Sequence, residues 1–364
     1  MSKSESKDAQ PTFAIAFRMI SPSISSPLIA IPLALLVSVL IGCSKEAGNE
    51  RIQKKADGYF SSGNYDAAMI EYRNLHKEVP QHAHAIAQIG IIWFRLGSPT
   101  QAFPYLNKAA ELNPEAVEVR VLLSQTLGLI GLFDEARKEA AEVLLRSPER
   151  GEAFLVLANT SRTEEEILDA EQQIRKSMEG GPEPALMHLA LASLSFKKQD
   201  QDAGERSIND AVQSDPKSAR ALLAMGNVHL AKRQFDKARE AFAAGSALAP
   251  PRSAERLRYA EFELQMGELG NAREALEKFT AEVSDYIPGW MLFAQLAVKE
   301  QRFSEASEHL ENIFRRDPGY IFGRLLKAQI QMTDGEPEEA LDELKRLREL
   351  YPKSPVTELY LAKA

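Results

Sequence analysis

Prolines at a fixed interval constrain this chain more than any other feature. Pro80, Pro114, Pro148, Pro182, Pro216, Pro250, Pro318 and Pro352 stand on one comb with teeth 34 residues apart, and the tooth without proline is Ser284. Twelve residues upstream a second comb reads Ala68, Ala102, Ala136, Ala170, Gly204, Ala238, Ala272, Ala306 and Ala340. Another twelve back, a third reads Ala56, Gly90, Ser124, Ala158, Ala192, Gly226, Ala260, Ala294 and Ala328. A long uninterrupted helix or coiled coil is excluded, because proline lacks the N–H that an interior turn needs and pushes the residue before it out of helical geometry. Two obligatory small residues per period predict two helices that approach closely, repeated nine times.

Within one period, Ala219 to Arg252, the apolar residues Leu222, Met225, Phe235 and Phe242 recur at helical spacing. Ala238 falls where the two helices come nearest, a place where a larger side chain would hold them apart. Gly63, Gly97, Gly131, Gly267 and Gly335 recur between the two helices, where a left-handed backbone favours glycine.

These residues carry a resemblance to the tetratricopeptide repeat family. Tyr59, Gly63, Ala68, Tyr72 and Pro80 fit its pattern in the first unit, and Trp290, Phe293, Ala306 and Pro318 fit in the eighth. The match covers Asn49 to Ser354, nine units without an insertion. The resemblance implies an all-α solenoid, a right-handed superhelix of antiparallel helix pairs, whose concave groove is lined by first helices and binds a protein or peptide. It maps the groove-facing ninth position of each unit to Asp57, Ile91, Gln125, Asn159, Ser193, Asn227, Glu261, Gln295 and Gln329, of which all but Ile91 are polar. Such side chains can bond the backbone of an extended peptide. Three positions on lie Phe60, Phe94, Gly128, Arg162, Phe196, Leu230, Leu264, Val298 and Met332, a mainly apolar row that reads equally as partner-gripping surface or as packing between units.

The comb keeps its register through the fourth unit, but the chemistry there weakens. Asn159 to Glu166 lacks both the large apolar residue and the turn glycine, and Thr163 to Glu166 has the spacing of a capping box opening a helix. With Gly180-Gly181-Pro182 following, a looser joint is expected over residues 160–184. Residues 355–364 read as a short closing helix or the start of a tenth unit, with Leu359 and Leu361 poorly covered.

The segment before the repeats has a different character. From Met19 to Ser44 no side chain is charged, and Leu28 to Ile41 is an apolar run interrupted by Pro32. A run that short suits a signal peptide better than a membrane span, which takes about 20 residues. It ends in Leu40-Ile41-Gly42-Cys43-Ser44, which resembles the bacterial lipoprotein signal. The resemblance implies that residues 1–42 are a leader cut off after Gly42, that the Cys43 thiol carries a diacylglyceryl thioether, and that residues 43–48 link it to the repeats. Two or three acyl chains suffice to hold a protein on a membrane. Ser44, where an aspartate would signal retention, points to the outer membrane and a periplasmic face. The alternative is an uncleaved transmembrane anchor over residues 20–41 carrying the same scaffold.

Cys43 is the single cysteine of the 364 residues, which excludes intramolecular disulfides and cysteine-based metal centres. A net charge of −8 gives no electrostatic footprint for nucleic acid. No phosphate loop, G-x-S-x-G or H-E-x-x-H motif is present, and His82-Ala-His84, the sole histidine pair, reads as a solvated turn. A non-catalytic scaffold needing no cofactor or metal is therefore expected; an enzyme would require an unrecognised site. The carboxylate clamp of cytosolic chaperone adaptors is absent: Arg220 and Asn227 occupy two of its faces, but Leu223 stands where its central lysine belongs, with Leu186 and Leu189 alongside. Together the two resemblances imply a lipid-anchored scaffold of the bacterial cell envelope, of a kind that serves outer-membrane assembly, pilus biogenesis, peptidoglycan enzyme control or polymer export.

Overall fold

A computed structural model describes residues 30–179, 184–350, 358 and 361. Among them are eighteen α-helices and no strand. The helices pair as the combs require: α1 (Ala30–Ser61) with α2 (Tyr65–Glu78), α3 (Ala83–Arg95) with α4 (Pro99–Leu112), α5 (Val117–Leu129) with α6 (Phe133–Arg146), and α7 (Gly151–Thr160) with α8 (Glu164–Met178). Then follow α9 (Pro184–Lys197) with α10 (Gln201–Ser214), α11 (Ala219–Ala231) with α12 (Phe235–Leu248), and α13 (Ala254–Met266) with α14 (Leu269–Glu282). The last pairs are α15 (Ile287–Lys299) with α16 (Phe303–Phe314), and α17 (Ile321–Asp334) with α18 (Pro337–Leu350). The chain divides into two compact units, the second running from Ile52 to Ala364 and containing the repeats. No helix of the described residues is long and apolar enough to cross a membrane. Residues 1–29, which hold the start of the expected leader, residues 180–183, and all of 351–364 except Glu358 and Leu361, where the closing helix is expected, lie outside the described residues; Cys43 lies on the backbone of α1.

Every residue of the two small-residue combs is buried. The glycines on them show why. A Cβ on Gly90 would lie 2.9 Å from Leu106 Cγ, and one on Gly226 would lie 3.0 Å from the Phe242 ring. Phe242 is itself fully buried and tilts against Phe262 of the next unit, ring centroids 4.9 Å apart; burying such a ring contributes about 1.5–3 kcal/mol. Phe235, which shares the helical spacing of Phe242, is 41% exposed, because as the first residue of α12 it precedes the packed turn.

The turn between paired helices follows one rule. Gly63, Gly97, Gly131, Gly267 and Gly335 all take positive φ, and Gln199, Arg233 and Gln301 take it at the equivalent place in the fifth, sixth and eighth units. Only the fourth unit departs. There α7 ends early at Thr160, and a complete capping box joins Thr163 and Glu166 at the start of α8.

The fourth unit's short helix is closed by cations. Arg137 Nη1 donates to the Thr160 carbonyl at 2.7 Å, while Lys197 Nζ, from the next unit, donates to the carbonyls of Asn159 and Ser161 at 2.7 and 2.6 Å. These are the carbonyls that a helix end leaves without partners. Across the described part of the expected joint, Phe154, Ile167, Ile174 and Met187 share one apolar cluster that extends from Ala56 to Leu194. At the other end Leu361 packs against the last cluster, with Leu325 and Leu344, so it is better covered than the sequence suggested.

Units are also joined by charge. Glu171 on α8 pairs with Lys198, and Glu205 at the equivalent place on α10 pairs with Lys232. At the same two places further along, Arg273 on α14 pairs with Glu300: the polarity is reversed.

Candidate partner-binding groove

First helices of consecutive units pack on one another from α3 through α17, whereas consecutive second helices make no comparable contact. A stack in which one layer is drawn together curves toward that layer. The first helices therefore line the inner side.

None of the nine ninth-position residues on these helices is buried. Several bond one another along the array. Ser193 Oγ donates to Asn159 Oδ1 of the preceding unit at 2.8 Å, and Arg258 bridges Asn227 Oδ1 at 3.1 Å to Glu261 Oε2 at 2.6 Å. Gln125 and Gln295 make no side-chain hydrogen bond among the described residues, and neither is buried.

Asp57 begins the row differently. It accepts hydrogen bonds from Tyr72 Oη at 2.5 Å and from His84 Nε2 at 2.7 Å, joining the first two units. Burial pushes the Asp57 carboxyl up, but the bonds from His84 and Tyr72 outweigh it and hold it below its ordinary value. His82 caps α3, its Nδ1 accepting from Ala85 N at 3.2 Å. The two histidines thus have structural partners in place of the expected solvated turn, a difference set by the approach of α1 to α3 that spacing alone does not reveal.

The apolar row resolves into packing with one accessible edge. Phe60 and Phe94 border the cluster that begins at Ala56, Phe196 borders that of Leu189 and Ile208, and Leu230 that of Phe242. Each is half-buried. The Arg95 guanidinium lies 4.9 Å from the Phe60 ring centroid, within cation–π range. Arg162 turns out of the row to cover Phe133, 5.3 Å from its centroid. Where the chaperone clamp would need a free cation, Arg220 is paired with Glu255 at 2.8 Å.

A separate crevice of about 310 Å³ opens between α12, α13 and α14, lined by Ala243, Ser246, Tyr259 and Ala275 among others. It sits where second helices diverge, away from the polar row.

Tetratricopeptide repeat profiles match residues 189–253 and 297–363, so these segments are tetratricopeptide repeats. No curated protein matches the chain. Among solved structures, PilF of Pseudomonas aeruginosa is 21% identical, covering 63% of this chain and 99% of its own, with a TM-score of 0.43. PilW, described as a type IV pilus biogenesis factor, is 17% identical over 58% of this chain and 98% of its own, with a TM-score of 0.46. The tetratricopeptide domain of P58(IPK) is 15% identical over 87% of each chain, with a TM-score of 0.31.

Proposed function

We propose that this chain is a non-catalytic, lipid-anchored scaffold of the bacterial cell envelope, which holds a protein or peptide partner against its first helices. The observation that carries the binding half is the row from Asp57 to Gln329: polar at eight of nine positions and nowhere buried. Uncharged amides at this spacing suit the backbone of an extended segment, and the half-buried edges of Phe60, Phe94, Phe196 and Leu230 suit its apolar side chains. Cys43, after Leu40, Ile41 and Gly42, supports the anchoring half. In this reading the protein faces the periplasm from the outer membrane.

Both halves are tested in cells. Photo-crosslinking residues placed at Gln125 and Gln295 should trap a common partner in the native envelope, and Asn227→Arg should abolish the trapping. An equal yield from an outer-face position such as Leu145, which is 77% exposed, would refute the groove. Labelled fatty acid should enter the wild-type protein and not Cys43→Ala. If Cys43→Ala stays membrane-bound and unprocessed, the uncleaved transmembrane anchor is the correct alternative.

A further inference from the structure

Helix ends leave backbone groups without partners. Two such groups, six units apart, satisfy each other: the amide of Ile287, first residue of α15, donates to the carbonyl of Leu96, which closes α3, at 3.0 Å. Beside them Ser98 Oγ donates to the Asp317 carboxylate across 219 positions, and both residues are buried. Ser98 is the N-cap residue of α4 yet makes no cap bond, so its hydroxyl serves the distant contact in place of its own helix. Asp317 also accepts from Gln101 Nε2 at 3.3 Å and from the Gly319 amide at 3.1 Å. Gly97 lies between, where a Cβ would stand 2.3 Å from Pro288 Cδ.

The same relation recurs one unit earlier, more loosely. Arg252 lies over the Tyr65 ring at 4.7 Å and reaches the Gly63 carbonyl at 3.5 Å. One unit later it is gone. A Cβ on Gly131 would meet nothing within 4 Å, and Leu129 and Phe322 on the two facing edges are 68% and 57% exposed.

We propose that this seam is a releasable clasp. It shuts one turn of the solenoid on itself and opens as a unit, without unfolding any helix pair. Its composition supports this: its hydrogen bonds come from turns and polar side chains, and no apolar cluster spans it, Leu96 belonging to one cluster and Tyr286 and Ile287 to two others. Closed, it leaves the inner side reachable from the two ends of the turn; open, it admits a partner from the side. That consequence rests on the groove reading above, whereas the opening itself does not.

Amide exchange of the full chain tests the opening. The Ile287 amide, whose bond crosses the seam, should exchange at least tenfold faster than the Leu292 amide inside α15. Ser98→Ala should accelerate Ile287 a further tenfold, leave Leu106 and Leu310 at wild-type rates, and enlarge the radius of gyration measured by X-ray scattering. Asp317→Ala should do the same, and because Asp317 also holds the Gly319 amide, Ser98→Ala is the cleaner variant. Exchange at Ile287 matching that at Leu292, or wild-type exchange and radius in Ser98→Ala, overturns the clasp. No partner enters either readout, so its failure is distinct from a failure of crosslinking at Gln125 and Gln295.

Discussion

The ring of Phe196 fills the space that an alanine at position 204 would need: a Cβ on Gly204 would lie 2.4 Å from Phe196 Cε1. Elsewhere on that comb alanine is the rule. On helix propensity alone, replacing a mid-helix glycine by alanine stabilises by about 1 kcal/mol. Here the clash reverses the sign. Gly204→Ala is expected to destabilise by about 1–3 kcal/mol, and Phe196→Ala in the same chain should recover part of it. Urea unfolding of the two single variants and the double variant checks this; strict additivity would refute the pairing.

Three turns use a non-glycine residue at positive φ: Gln199, Arg233 and Gln301. A left-handed backbone costs an L-residue roughly 1–2 kcal/mol, partly offset by glycine's greater freedom when unfolded. Glycine at each place should therefore stabilise by about 0.5–1 kcal/mol. Glu165→Gly, in the one unit whose equivalent residue is helical, should destabilise instead; thermal melts of the four variants separate the cases.

Glu263 is fully buried and held by Arg239 Nε at 2.6 Å and Asn271 Nδ2 at 3.1 Å. Because Arg239 is itself a third exposed, the loss on Arg239→Ala is set at about 1–3 kcal/mol, below that for a wholly buried pair. Replacing both residues, Arg239→Met with Glu263→Leu, should recover most of it, as chemical denaturation will show.

The Asp57 carboxyl is held below its ordinary value of 3.8. A depressed carboxylate contributes stability that is complete above its unfolded value and is lost as pH falls through the folded one. The first two units should thus loosen below about pH 4, earlier than in Asp57→Asn relative to each protein's own neutral-pH stability. Hydrogen exchange at Tyr72 and Ile86 against pH measures it, and identical profiles in both proteins would remove Asp57 from the account.

The stretch 160–184 remains the expected loosest joint of the repeats. Burial holds the Lys197 ammonium below its ordinary value, and that group closes the end of α7. Lys197→Met should raise exchange at Thr160 and Ser161 above that in the flanking units. Rates equal to those at the end of α5 in both proteins would count against a joint.

The helix pairs were legible because close packing leaves its trace at fixed intervals: Ala136 and Ala158 are small for a local reason, repeated in every unit. The Thr163 capping box was legible for the same cause, since both partners lie within one turn. Ser98 and Asp317 were not. Read locally, one is a helix cap and the other a turn residue beside Pro318, and their contact depends on how small rotations accumulate over six units. Phe196 sits between the two cases: its place in the apolar row was plain, but only the glycine opposite tells how its ring is turned. His84 likewise gave no sign of Asp57 until two first helices were laid side by side.

The reversed ion pairs restrict the order in which some units can follow one another. Repeat arrays grow and shrink by recombination between similar segments, and here such an event would be felt at the junction. Losing the sixth and seventh units would set Glu205 against Glu300, and duplicating the sixth would set Arg239 beside Lys232. Like charges at a packed seam repel. Glu205, Lys232, Arg273 and Glu300 therefore act as a written order, which disfavours arrays that bring the two polarities together out of sequence.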